Sequence, residues 1–148
     1  MPKPKALISA CLMGQKCRYD GKSKLLANLN EYAARFELIP ICPELDGGLP
    51  VPRPKAWIER GNGNDVWNGT AKVINEKGNN VTEQFKAGAQ IALKLAIENS
   101  IKTAILKSKS PSCGAGYIYH SNSNNLVEGN GVTASLLLNN GMDIESIE

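Results

Sequence analysis

The sequence predicts an α/β domain, a sandwich of helices around a mainly parallel sheet. Three observations lead there. Short apolar runs recur at residues 5–9, 37–41 and 102–106. Stretches of helical periodicity lie between them, and a loop rich in Gly, Pro or Ser follows each run. At 148 residues the chain is long enough for one domain with its own core. No linker, repeat or low-complexity tract divides it, so residues 1–148 are read as a single unit.

The elements follow in order. "KALIS" (5–9) is a buried strand that runs into the loop "ACLMGQKCRYDGKSK". Near 25–36, "LLANLNEYAARF" sets Leu25, Leu29, Tyr32, Ala33 and Phe36 at steps of three and four, a helix face. "ELIPI" (37–41) is a second strand, and "CPELDGGLPVPRP" is a loop by its glycines and prolines. "AWIER" and "TAKVINEKG" read as short strands around the turn "GNGND", which gives a small hairpin insertion near residues 55–78. Thr82 is a candidate N-cap for a helix over about 83–99, with Phe85, Ala89, Ala92 and Ala96 along one side. "KTAIL" (102–106) is a third buried strand, and "VTASLLLNN" is a helix stopped by Gly141. "MDIES" closes the series as a short strand.

Composition narrows the function. Hydrophobic residues make up 42% and charged residues 21%, as in ordinary globular proteins. The net charge of +3 comes without a basic stripe, so it gives no argument for nucleic acid. Lysine pairs such as Lys22 and Lys24, or Lys107 and Lys109, read as scattered and solvated, and a substrate of modest negative charge is tolerated. No apolar run is long enough to span a bilayer, and "MPKPKALISAC" lacks a signal-peptide core. A cytoplasmic location is expected, where thiols stay reduced. The four cysteines then point to metal binding or catalysis rather than to disulfides.

Their positions sharpen this. Cys11 follows the first strand, Cys42 the second and Cys113 the third. In parallel sheets ligands bind beyond the carboxyl ends of the strands, so three thiols meet at one edge. The intervening lengths of 5, 24 and 70 residues contain no C-x-x-C, which disfavours a zinc ribbon or a thioredoxin-type dithiol. Thiolates from separate loops can hold zinc or an iron–sulfur cluster. Four thiolates would make a closed structural site; three on a four-iron cube would leave one iron open. Cys17 sits deep inside its loop, which favours three ligands and leaves Cys17 as packing or a reserve thiol.

Polar residues cluster beside these cysteines. Glu44 and Asp20 are candidates for proton transfer near neutral pH, against the plainer reading of loop cap or surface charge. Ser110 and Ser112 flank Pro111 just before Cys113, although loop hydroxyls often bond to nearby backbone. Arg53 is read as pairing a carboxylate, orienting a substrate oxygen, or exposed. "GNGND" (61–65) and "EGNGV" (128–132) match no phosphate-loop fingerprint and read as turns. The second opens a helix, so its amides are a possible anion contact. His120, the only histidine, lies in an Asn- and Ser-rich loop and reads as solvated, with no Cys–His pair in local sequence.

The stretches "ISACLMGQKCRYDG" (8–21), "CPELDGGLPVPR" (42–53), "LKSKSPSCG" (106–114) and "GNGVTASLLLNNG" (129–141) resemble the 2-thiouracil desulfurase family in order and over nearly the whole chain. The resemblance implies a Rossmann-like three-layer sandwich carrying a [4Fe-4S] cluster on Cys11, Cys42 and Cys113. It implies non-redox desulfuration of a small thiolated base, 2-thiouracil-like, to the oxo compound and hydrosulfide, with the open iron taking the sulfur. Glu44, Ser110 and Ser112 would handle protons and substrate. Val51, Lys109 and Asn130 depart from the family's usual Thr, Arg and Asp; these changes spare the ligand set and bear on the substrate. The alternative is a non-catalytic protein in which four cysteines make a structural metal or cluster site. A third reading, an enzyme acting on a thiolated tRNA base, is disfavoured by the modest charge and the lack of a basic, aromatic-bearing segment.

Overall fold

The computed structural model describes residues 3–120 and 125–148. In chain order it contains β1 (Lys5–Ser9), a 3-10 turn (Ala10–Met13), α1 (Leu29–Arg35), β2 (Glu37–Ile41), α2 (Pro43–Asp46), β3 (Ala56–Glu59) and α3 (Gly63–Trp67). There follow β4 (Lys72–Asn75), α4 (Thr82–Glu98), β5 (Thr103–Lys107), β6 (Tyr117–Tyr119), β7 (Leu126–Glu128), α5 (Val132–Asn139) and β8 (Asp143–Ile147). The main sheet has the order β2-β1-β5-β8, and every pairing in it is parallel. Leu7 stands opposite Ile39 on one side and Ala104 on the other, which fixes the register of the three strands that bring the cysteines.

Side chains alternate across this sheet as a pleat requires. Leu7, Ala104 and Leu106 pack on α4 and α5 through Ala92, Ala96 and Leu137. Ala6, Ile8 and Ile105 point the other way, onto Leu29, Tyr32, Phe36 and Leu38. Both faces are covered, so the strands read as unbroken apolar runs. Full burial of a side chain such as Leu7 or Ile8 stabilises the fold by about 1.5–3 kcal/mol. The three-layer expectation holds, with helices on both faces of a central parallel sheet.

The long helix α4 presents Phe85, Ala89, Ala92 and Ala96 to the core, as the spacing predicts. Small residues let it approach closely, and two glycines take this to the limit. A Cβ on Gly88 would overlap the carbonyl oxygen of Pro43, and one on Gly47 the carbonyl oxygen of Gln84. α2 therefore lies backbone to backbone on α4.

Some local expectations are corrected. β3 and β4 do pair antiparallel, with Trp57 opposite Ile74. Their connection contains a short helix, however, where "GNGND" reads as a turn. Asn62 accepts from the Asn64 amide (3.0 Å) and Asp65 accepts from the Asn62 amide (2.9 Å), a capping box that starts α3. Thr82 is the first residue of α4 and not its N-cap. Its hydroxyl donates to Asn80 Oδ1 (2.6 Å) and accepts from the Val73 amide (2.9 Å), which ties the helix to β4. α1 begins at Leu29, and Leu25, placed on its face by periodicity, is 63% exposed. The region after Cys113 forms a second small hairpin, β6 with β7, where a loop is expected; residues 121–124 of that stretch lie outside the described residues. Among the described residues no helix is long and apolar enough to cross a membrane.

Candidate active site

Three neighbouring strands end at one edge, and each delivers a cysteine. β1 stops at Ser9 and Cys11 follows in the 3-10 turn, which Gly14 closes in the left-handed region (φ +92°). β2 stops at Ile41, and Cys42 caps α2 with its side chain left free of any capping bond. Pro43 at the first helical position suits the turn that follows. β5 stops at Lys107, and six residues on comes Cys113. All four cysteines carry free thiols and border one cavity of about 690 Å³.

The loop carrying Cys113 is held from behind by α5. The amide of Val132 donates to Pro111 O (2.7 Å), those of Thr133 and Ala134 to Ser112 O (3.0 and 3.1 Å), and that of Gly131 to Gly114 O (2.7 Å). A helix N-terminus leaves such amides unpaired, and here the loop's own carbonyls occupy them. The anion contact envisaged for "EGNGV" is thereby corrected at Gly129, Gly131 and Val132, whose amides have protein partners. A Cβ on Gly131 would run into Ser112 O, so only glycine fits at this crossing.

The same clamp separates the two serines. Ser112 is fully buried and shares a hydroxyl–hydroxyl bond with Thr133 (2.8 Å), away from the cavity. Ser110 borders the cavity and accepts from the Cys113 amide (2.7 Å). Ser112→Ala is accordingly expected to cost about 1–3 kcal/mol, because it strands a buried hydroxyl. A thermal melt of the cluster-free protein checks this; an unchanged midpoint would remove the Ser112–Thr133 bond from the account of the loop.

Glu44 projects from the first turn of α2 beside Cys42. Its carboxylate pairs with Arg53 Nη2 at 3.4 Å, and the two side chains are 16% and 6% exposed. Arg53 also donates to Cys17 O (3.1 Å) and Pro50 O (3.3 Å), so it staples three segments together. Of the three sequence readings of Arg53, the structure bears out carboxylate pairing. Asp20 is placed apart from this group. It is exposed, accepts from the Lys22 amide (3.0 Å) in a turn, and does not border the cavity.

Sequence reasoning passed over several cavity residues. The Ser9 hydroxyl accepts from the Lys107 amide (2.9 Å) and borders the cavity that Cys113 lines. Phe85, Leu49 and Tyr19 supply apolar wall suited to a flat ring. Arg18, Lys24, Lys55, Lys77, Lys107 and Lys109 gather on the same cavity, against Glu44 and Glu148. Lys24, Lys107 and Lys109, which read as scattered, are brought together by the fold. Burial and then the charge of Arg18 pull the Lys107 ammonium below its ordinary value. Lys109 holds a left-handed φ of +73° at the turn that swings the chain toward Ser110.

The electrostatics of the thiols follow from burial. Desolvation pushes Cys11 up, with Arg18 opposing it, and pushes Cys113 up further, with the Glu44 charge adding to it. Cys42 is raised first by its hydrogen bond with Cys17, then by burial; Cys17 is lowered through the same bond. Without a cation in the cavity the three strand-end thiols therefore keep their protons. Among the described residues no three Cys, His, Asp or Glu side chains converge tightly enough to hold a single metal ion. All four thiols border the one cavity, and soft donors of this kind hold zinc or an iron–sulfur cluster.

The chain is similar to known proteins over nearly its whole length. Residues 6–148 match the family model described as 2-thiouracil desulfurase. A Bacillus subtilis (strain 168) relative named "Uncharacterized protein YbbK" is 41% identical over 141 residues, 95% of this chain and 93% of that protein. A solved structure of TudS, described as a [4Fe-4S]-dependent thiouracil desulfidase, is 39% identical with a TM-score of 0.85. The match covers 97% of this chain and 91% of that one.

Proposed function

The chain belongs to the 2-thiouracil desulfurase family, and we propose that it hydrolyses a thiolated pyrimidine to the oxo compound and hydrosulfide, using a [4Fe-4S] cluster held by Cys11, Cys42 and Cys113. The observation that carries this is the meeting of three strand-end thiols and the Glu44 carboxylate on one cavity. The fit is chemical as well as spatial. Three soft donors lie on three separate segments, and all of them are freed of protons only when a cation takes their place. When bound, such a cluster supplies a Lewis-acidic iron without a protein ligand, matched to a soft thiocarbonyl sulfur.

The chain's own residues supply the rest. Glu44 Oε accepts a proton from the attacking water, and Arg53 holds that carboxylate in place beside the reacting carbon. Ser110, at the cavity wall, positions the substrate or the water through its hydroxyl, while Ser112 holds the loop. Asp20 is given only its turn. The balance is hydrolytic: water provides the oxygen, hydrosulfide leaves, and no electrons are gained or lost. The walls of Phe85 and Leu49 exclude solvent from the ring. Free 2-thiouracil satisfies these features. The cationic rim favours a substrate with added negative charge, and a thiolated nucleoside monophosphate is the refinement that it supports. A cytoplasmic setting, where thiols stay reduced, suits this chemistry.

The test is anaerobic reconstitution followed by a sulfide-release assay. About four irons per chain and hydrosulfide from 2-thiouracil are expected. Zinc without iron, or a full cluster with no sulfide release from either substrate, would sink the proposal. KM for the monophosphate is expected to lie below that for the base and to rise with salt; equal, salt-insensitive values would return the substrate to the free base.

A further inference from the structure

Asn75 ends β4 and is 7% exposed, a buried polar side chain on the wall of the cavity. Its backbone is committed to the turn that follows. The Asn75 amide donates to Asn79 O (3.0 Å), and its carbonyl oxygen accepts from the Gly78 amide (2.9 Å). The side-chain oxygen is committed there too: Asn75 Oδ1 accepts from the amides of Lys77 and Asn79, both at 3.0 Å. Two backbone donors on one atom require that atom to be the oxygen, so the carboxamide has a single orientation.

What remains is Nδ2, with two N–H donors. It has no hydrogen-bond partner among the described residues. Nor is it sealed away. Among the described residues, the side-chain polar atoms both unbonded and closed to solvent are Ser135 Oγ and Glu145 Oε2. The opening that Asn75 has is the cavity. Ala56, its partner across the β3–β4 ladder, lines the same cavity, as do Val81 and Phe85. A neutral donor fixed in direction, on a wall with apolar members, suits a neutral acceptor on a flat ring. Charged groups have the lysines of the rim.

Resting on the desulfurase reading, we propose that Asn75 is a specificity-determining residue, its Nδ2 donating to the carbonyl oxygen at C4 of the thiolated pyrimidine. It thereby selects a thiouracil over a thiocytosine. The C4 oxygen of a uracil ring accepts a hydrogen bond, whereas the C4 amino group of a cytosine ring donates one. Asn75 cannot turn over to accept from that amino group, because its N–H groups would then face the Lys77 and Asn79 amides.

The experiment uses Asn75→Asp, which keeps an oxygen for the two turn amides and replaces the donor by an acceptor. Wild type and variant are reconstituted anaerobically, and iron content and melts of the cluster-free proteins confirm the fold. Sulfide release is measured from 2-thiouracil and 2-thiocytosine, and binding of uracil and cytosine by calorimetry, at a pH where the bases are neutral. Wild type is expected to favour the uracil ring in both readouts by about tenfold or more. In Asn75→Asp each ratio is expected to shift toward the cytosine ring by about tenfold or more. A purely structural turn would lower both rings together and leave the ratios alone. Should Asn75→Asp fail to fold, Asn75→Ser gives the same ratios, expected to approach even. Equal handling of the two rings by wild type, or unchanged ratios in a folded, iron-loaded variant, would overturn the proposal while sulfide release leaves the desulfurase reading standing. A cluster-loaded wild type that releases sulfide from neither base would overturn both.

Discussion

Glu44→Gln is expected to cut sulfide release by about a hundredfold or more at iron content close to wild type, with a lowered melting point because Arg53 loses its anionic partner. The substitution is nearly isosteric, and the amide oxygen can still accept from Arg53 Nη2. What it removes is the capacity to take a proton. Glu44 stands two residues from Cys42, in the short helix that Cys42 caps, largely buried and paired with a cation. A group placed there only as the partner of Arg53 would respond differently, losing stability while keeping its turnover at full iron content. The measurement is therefore paired: turnover of the reconstituted variant beside its iron content. Unchanged turnover at full iron content would remove Glu44 from the chemistry and leave Ser110 as the remaining cavity candidate.

Gly88→Ala is expected to do comparable damage from farther away. In an exposed helix interior, Gly→Ala stabilises by about 1 kcal/mol, since alanine is the better helix former. Here the added methyl meets the carbonyl oxygen of Pro43, a backbone atom that no rotamer change can move. Overpacking of this kind costs about 1–3 kcal/mol, so the sign of the effect reverses. Pro43 lies between Cys42 and Glu44, and any retreat of its carbonyl displaces both. The variant should melt below wild type and take up less iron. A higher melting point would mean that α2 does not rest on α4 as described.

The strand-end cysteines were legible because both halves of the inference are local. Apolar runs mark the strands, and Cys42 follows its run directly, so the edge on which the thiols meet follows from parallel pairing alone. α4 was legible for the same reason, through a face of Phe85 and alanines that repeats over about three turns. Features made by distant segments were hidden. Arg53 reads as one charge among prolines until the fold brings Glu44 and the Cys17 carbonyl to it. Ser110 and Ser112 differ only in which way each faces, and that depends on α5 arriving behind the loop. Lys24 and Lys107 are distant in sequence and meet only at the cavity. The hairpin of β6 and β7 escaped notice because strands of three residues are too short for a period-2 pattern to emerge.

The strand order β2-β1-β5-β8 also has a consequence in time. β1 is the first strand to be made and sits inside the sheet, so one of its edges waits for β5. About 60 residues separate the end of β2 from the start of β5. At a synthesis rate of about 5–20 residues per second, that edge stands open for roughly 3–12 s on the ribosome. Throughout that interval the nascent chain exposes Leu7 and Ile8 beside unpaired backbone, the condition in which strands find wrong partners. Cys11 and Cys42 wait with it, two thiols without their third. On the proposed cluster reading, metal loading is ordered after translation of β5, because Cys113 follows that strand.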